Sequence, residues 1–219
     1  MTSGDDLFDY DELRRLSRAT MVRVTVATTV VVLGGRQTTT VLRDEPSARR
    51  PVLRRRGGGG VVLAHPGDLW CDWWFPTDDE RWRADVREAA MEVGQWWAGA
   101  LSSRVTGDVR VHEGPMVGAD EHRVACFAGR GPGEVFVGGR KAVGLTQWRV
   151  REGTYLSSVL PALGSDELVD LLADPPTDLA VALDHHTLST LGVNEPDALA
   201  DDLAGQSGVP TMRFLTIPR

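Results

Sequence analysis

Of the 24 basic residues in this chain, 23 are arginine, and the single lysine is Lys141. A codon usage that spells almost every basic residue as arginine explains the excess but not the surviving lysine. Arginine stays charged and presents a rigid fork, whereas lysine is a flexible point charge whose proton affinity burial can move. Lys141 is therefore a candidate for a task that arginine cannot fill. It follows the turn Gly138-Gly139-Arg140, which joins two strand-like runs, and so projects rigidly from a sheet. Upstream, Cys126-Phe127 ends a strand-like stretch before the Gly/Pro-rich run Ala128–Gly133. A thiol there reads either as a small buried hydrophobe or as a nucleophile whose thiolate a nearby ammonium favours.

The second cluster is Arg54-Arg55-Arg56 followed by Gly57-Gly58-Gly59-Gly60 and the apolar run 61–64. Glycines let a backbone approach a ligand closely and present free N–H groups, and arginines neutralise phosphate or carboxylate. The spacing matches neither the Walker loop nor the dinucleotide fingerprint, and read alone a tetraglycine is also a flexible loop. His65, before Pro66-Gly67, is a turn residue or a pocket wall. Cys71 lies in the aromatic run LWCDWWF and reads as core or substrate-tunnel lining rather than nucleophile; Trp70, Trp73, Trp74, Trp82, Trp96 and Trp97 read as core, with the lining of an acyl-chain channel as the alternative for some. His185-His186 lack a third ligand at sensible spacing, so no metal site is expected. The Asp-rich stretch 197–202 reads as a solvated helix face.

The elements that must position these groups are legible in outline. With 42% hydrophobic and 25% charged residues, 219 residues can build a packed core. A net charge of -7 argues against nucleic acid as the main partner, leaving Arg49–Arg56 as a ligand loop or solvated turn. No apolar run reaches ~18 residues, so no membrane span is expected. The acidic start MTSGDDLFDYDELRR lacks the order of a secretory leader, and a cytoplasmic protein is expected. Two cysteines are too few for a disulfide framework. Residues 5–18 read as a short amphipathic helix or arm. Strands are expected within 22–33, at 105–112, 123–128, 134–138, 141–150 and 154–160, with shorter pieces at 41–42 and 52–53. A helix capped by Thr77 and Asp78 carries apolar residues from Trp82 to Leu101 at 3–4 residue intervals. Further helices are expected near 165–173, 186–192 and 196–204. The class is α+β, a mixed β-sheet with flanking helices, in one domain over 1–219 with a core at 22–160 and a helical C-terminal tail at 161–219.

Taken together, the two motifs resemble the lipoate–protein ligase/octanoyltransferase family, which shares its fold with the catalytic domain of biotin protein ligases. The resemblance covers about residues 22–160. Arg54-Arg55-Arg56, Gly57–Gly60 and His65-Pro66-Gly67 match the family's arginine–glycine loop and histidine turn. Gly139-Arg140-Lys141, Gly144 and Gln147 match its lysine strand, and Gly153-Thr154-Tyr155-Leu156 the strand that follows. The resemblance implies that Lys141 touches the activated acyl carbonyl or phosphate. It also implies that Arg55, Arg56, Gly57, Gly58, Gly59, Gly60, His65, Gly139, Arg140, Gly144, Gln147, Gly153 and Thr154 surround the acyl group and nucleotide. An aimed ammonium and backbone N–H groups suit the oxygen charge that develops in acyl transfer.

Ligases of the family adenylate a free acid with ATP and Mg, and typically place Asn-Asp before the lysine, where this chain has Gly133-Glu134. Glu134 is the one candidate Mg ligand. One octanoyltransferase branch has Cys-Phe about fifteen residues before Gly-Arg-Lys and forms an acyl-thioester, which raises Cys126 to the leading nucleophile. Other departures are Glu152, in place of a histidine, and Gly57, in place of Ser/Thr. The expected reaction attaches an octanoyl or lipoyl group to a lysine of a lipoyl-carrier domain, of the glycine cleavage H protein or 2-oxoacid dehydrogenase E2 type. The transferase route needs no cofactor and takes octanoyl-acyl carrier protein as donor; the ligase route needs ATP, Mg and free lipoate or octanoate. A non-catalytic binder of an acyl chain or adenylate is the further alternative.

Overall fold

The β-branched and alternating segments form ten strands in the computed structural model, which describes residues 6–7, 9–43, 50–209 and 211–217. The expected arm at 5–18 and the basic stretch from Arg49 therefore lie partly outside the described residues. Seven strands build one sheet: β1 (Thr20–Val26), β5 (Leu69–Pro76), β6 (Val109–Val111), β7 (Val135–Val137), β8 (Arg140–Val150), β9 (Gly153–Leu160) and β10 (Thr211–Ile217). Their order is β10-β1-β5-β9-β8-β7-β6. All neighbours are antiparallel except β10, which runs parallel to β1. A smaller sheet, ordered β3-β2-β4, is made of β2 (Val30–Leu33), β3 (Val52–Arg54) and β4 (Val62–Ala64). The mixed α+β class expected from the sequence is the one that forms.

The large sheet is covered on both faces. Helix α2 (Val86–Ser102) buries Ala89, Val93, Trp97, Ala100 and Leu101 along one stripe, the 3.6-residue pattern of a surface helix. That stripe meets Met21, Cys71, Trp73 and Leu156 of the sheet and Leu199 and Leu203 of α5 (Pro196–Ser207). The opposite face, with Val22, Trp70, Trp74, Tyr155 and Val159, packs under the small sheet, α1 (Tyr10–Arg14), α3 (Asp166–Leu171) and α4 (Leu179–Ala182). The loops that bear the candidate residues lie on this second face.

Four local expectations are corrected. Helix α2 begins at Val86, not near Thr77-Asp78: Asp85 accepts the N–H groups of Arg87 and Glu88, while Asp79 is taken by Arg81 in a turn. Residues 123–128 are not a strand but the ends of two 3-10 turns, Asp120–Val124 and Cys126–Ala128. The segment 186–192 is not helical; its backbone runs beside β8, where the His186 N–H donates to the Lys141 carbonyl at 2.7 Å. The tail is helical only in part, because β10 adds an edge to the large sheet.

Candidate active site

The glycine loop is held by contacts that leave no room for side chains. A Cβ on Gly34 would lie 1.9 Å from the Gly59 carbonyl oxygen, and one on Gly60 would lie 2.4 Å from that of Val124. Gly59 has φ +88°, a region that costs an L-residue ~1–2 kcal/mol. Arg55, buried at 4% exposure, donates to the carbonyls of Gly58 (2.9 Å) and Gly60 (2.7 Å). Thr146 Oγ1 of β8 also donates to Gly58 O, at 2.9 Å, and the Gly35 N–H to Gly57 O at 2.8 Å. The carbonyls of Gly57, Gly58 and Gly60 are thus occupied, whereas the N–H groups of Gly57–Gly60 find no partner among the described residues. A run of free amides is a cradle for developing negative charge.

Cys126 faces this cradle. Its sulfur is 3.5 Å from where a Gly59 Cβ would stand, and Arg55 Nη2 is 3.0 Å from that same point. The Cys126 N–H donates to Val61 O at 3.0 Å, just past the loop, and Val61 N–H to Val124 O at 2.7 Å. The thiol is half-buried. Lys141, at the start of β8, sends its ammonium under the same turn: Nζ donates to Cys126 O and Gly129 O, both at 3.0 Å, and to Glu134 Oε1 at 2.7 Å. Its charge also sits 4.9 Å from the centre of the Phe127 ring, and Gly144 leaves space for that ring, which would meet a Cβ at 2.9 Å.

Lys141, Cys126, Gly57–Gly60 and Arg55 are therefore brought together, Arg55 as the frame of the loop, with Gly144 beneath. The other candidates stand elsewhere. Arg56 is clamped between the rings of Tyr10 and Trp148, 5.1 Å from each, and paired with Asp6 at 3.2 Å. His65 closes the far end of β4, where Nδ1 meets Thr29 Oγ1 at 3.3 Å and burial pushes its pKa down. Arg140 pairs with Asp184 and reaches His185 O. Gln147 donates to Val86 O at the start of α2. Gly139 forms the hairpin turn at φ +88°. Gly153 and Thr154 pack at the opposite end of β8, against Phe75 and Trp74, and Glu152 pairs with Arg14. Neither cysteine is in a disulfide. A surface cleft of about 630 Å³ lined by Gln95, Arg110, His112 and Arg130 includes neither Cys126 nor Lys141 in its lining.

Glu134 does not fit a Mg ion. Oε1 accepts from Lys141 and weakly from the Leu145 N–H at 3.5 Å, and Oε2 accepts the Gly131 N–H at 2.7 Å. Its carboxylate is buried and engaged on both oxygens. Among the described residues no three His, Cys, Asp or Glu side chains gather as a metal site, and no helix is long and apolar enough to cross a membrane.

Three contributors escaped the sequence reading. Thr146 anchors the glycine loop, and the His185 ring lies 4.7 Å from that of Phe127. Asp72, fully buried, lies in the row Thr146–Ser157–Asp72 across β8, β9 and β5. It accepts from Trp70 Nε1 at 2.7 Å, from the Ser158 N–H at 3.2 Å and from the Tyr155 hydroxyl. Burial pushes its pKa up to about 7 against the opposing effect of these bonds. One signal for Asp72 was available, since it is the only charge in LWCDWWF.

The fold has relatives among solved structures. Lipoate-protein ligase A bound with ATP superposes at a TM-score of 0.70 with 16% identity, over 96% of this chain and 83% of that one. A putative lipoate protein ligase from T. acidophilum with bound lipoic acid gives 0.69 and 14%, over 96% and 82%. The archaeal bi-partite lipoate protein ligase studied with its E2 lipoyl domain, also from T. acidophilum, gives 0.69 and 16%, over 96% and 81%. A comparison with curated protein sequences returns no match. The model of the lipoyl protein ligase A/B catalytic domain matches residues 10–195, and the chain belongs to that family.

Proposed function

We propose that this protein attaches an octanoyl or lipoyl group to a lysine of a lipoyl-carrier domain through an acyl thioester on Cys126. The observation that carries the reading is the placement of the Cys126 sulfur against Gly59, in a loop whose four N–H groups have no partner among the described residues. In the first step the Cys126 sulfur attacks the thioester carbonyl of an octanoyl-acyl carrier protein. A new C–S bond forms, the donor C–S bond breaks, and the thiol proton leaves with the donor sulfur. In the second step the neutral amine of the carrier lysine attacks the Cys126 thioester, an amide forms, and the amine proton returns to the sulfur. Both steps build charge on one carbonyl oxygen, and the loop amides are the donors proposed to receive it.

The carrier is proposed to be of the glycine cleavage H protein or 2-oxoacid dehydrogenase E2 type; the archaeal relative with its E2 lipoyl domain supports the class. The second reading is an ATP-dependent ligase, favoured by the relative bound with ATP. The engaged carboxylate of Glu134 speaks against Mg at that position in this chain, so no step is drawn through it. The two readings separate when the purified protein meets octanoyl-acyl carrier protein, or octanoate with ATP and Mg, and its intact mass is read. The thioester route requires an octanoyl adduct from the first donor that is absent in Cys126→Ser. Acyl-adenylate formation with no adduct overturns it.

A further inference from the structure

Gln37 ties together three segments that surround the Cys126 thiol. It ends the turn Gly34–Gln37 that leaves β2, in which its own N–H donates to Gly34 O at 2.9 Å. Its side-chain amide then joins two main chains: Oε1 accepts the Gly34 N–H at 3.0 Å, and Nε2 donates to Val124 O at 3.0 Å. An N–H only donates and a carbonyl only accepts, so the two ends of this amide cannot be exchanged. Val124 stands two residues before Cys126. Its carbonyl takes a second bond from the Val61 N–H at 2.7 Å, and Val61 O accepts the Cys126 N–H at 3.0 Å. The same turn rests on the glycine loop. The Gly35 N–H donates to Gly57 O at 2.8 Å. A Cβ on Gly34 would lie 1.9 Å from Gly59 O, and one on Gly35 would lie 2.6 Å from Arg56 O.

We infer that Gln37 is a positioning residue for acyl transfer: its amide staples the turn that supports the glycine loop to the turn that carries Cys126, and so fixes the sulfur against Gly59. It acts through Gly34 and Val124, not on the substrate. This role rests on the thioester reading above, while the staple itself does not. The task needs one donor and one acceptor on a single side chain. Glutamate keeps the acceptor for Gly34 but has no donor for Val124 O, and would set a carboxylate against that carbonyl; leucine keeps the length and loses both bonds. The spacing matters because a displacement of about 1 Å between reacting groups can slow a reaction ~100-fold.

The test compares Gln37→Leu and Gln37→Glu with the wild type in three measurements: single-turnover octanoylation of Cys126 from octanoyl-acyl carrier protein, alkylation by iodoacetamide, and backbone amide exchange. The staple requires that both variants slow octanoylation at saturating donor by about tenfold or more, with the half-saturating donor concentration within about twofold of the wild type. Alkylation needs an accessible thiolate but no fixed carbonyl, and is required to stay within about threefold. The Val61 and Cys126 amides are required to exchange about tenfold faster or more in both variants, with β5 and β9 unchanged. Octanoylation at the wild-type rate, or alkylation that falls in parallel with it, overturns the proposal. In the wild type the side-chain amide protons of Gln37 are required to exchange more slowly than those of the exposed Gln95; equal rates overturn the staple even if neither variant folds. A wild type that forms no thioester refutes the transfer reading, and amide exchange still decides the staple. Variants that acylate as well as a competent wild type refute the positioning role alone.

Discussion

Arg55 Nη2 lies 2.7 Å from the carbonyl oxygen of Gly60, and that bond turns four consecutive glycines into a fixed cradle. A guanidinium that the sequence offers as a ligand group is instead the internal frame of the loop. It holds the carbonyls of Gly58 and Gly60 while Gly59, between them, lies against the Cys126 sulfur. Arg55→Lys keeps the charge but not the fork, and hydrogen bonds to a charged group contribute about 1.5–3 kcal/mol each. The variant is expected to lose about 2 kcal/mol in urea unfolding and to acylate Cys126 at least ~10-fold more slowly in a single turnover.

The two central glycines respond oppositely to a methyl group. Gly59→Ala places a Cβ at φ +88°, 3.0 Å from Arg55 Nη2 and 3.5 Å from the Cys126 sulfur. A stability loss of about 1–2 kcal/mol is expected, together with loss of thioester formation. A Cβ on Gly58 meets nothing within 4 Å, and Gly58→Ala is expected to shift stability by no more than about 0.5 kcal/mol. Thermal or urea unfolding of the pair checks the contrast.

The two thiols differ in access. Cys71 is fully buried, and burial pushes its pKa well up, whereas Cys126 is half-buried beside the loop. Native protein treated with iodoacetamide is expected to gain one carbamidomethyl group, on Cys126. A peptide map with Cys71 modified at a similar rate contradicts the placement.

Asp72 makes stability depend on pH. With its pKa raised to about 7, the folded chain holds this proton more tightly than the unfolded one. The contribution is full below the ordinary carboxylate value and is lost as pH rises through about 7. Asp68, raised by burial to about 6, adds the same sign over a narrower window. His65 and His185, both lowered chiefly by burial, act oppositely, so the difference between wild type and Asp72→Asn isolates Asp72. In urea unfolding the wild-type advantage is expected to shrink from pH ~5 to pH ~8, by up to about 2.6 kcal/mol. A constant difference across that range contradicts the assignment.

What the sequence discloses, and what it hides, follows from the range of each interaction. The hairpin of β7 and β8 was legible because Gly138 and Gly139 both supply the positive φ that its turn requires. The cluster of Cys126, Lys141 and the glycine loop was legible because two ordered motifs carry it. The actual partners of Arg55 and Arg56 were not, since a guanidinium at a loop reads alike whether it faces a ligand or, like Arg56, lies between Tyr10 and Trp148. His65 and Gln147 match a motif by position, yet their side chains meet Thr29 and Val86. The start of α2 was misplaced because Thr77, Asp78 and Asp85 are all good caps by type, and it is Asp85 that accepts the N–H groups of the first turn. β10 was missed because its pairing with β1 spans nearly the whole chain.

The most direct test of the account isolates the octanoylated protein, removes donor, and adds an apo lipoyl-carrier domain without ATP. The account predicts that the octanoyl mass leaves Cys126 and appears on the carrier lysine in a single turnover. Hydrolysis of the adduct with no gain on the carrier, or modification of the carrier only when ATP is supplied, contradicts it.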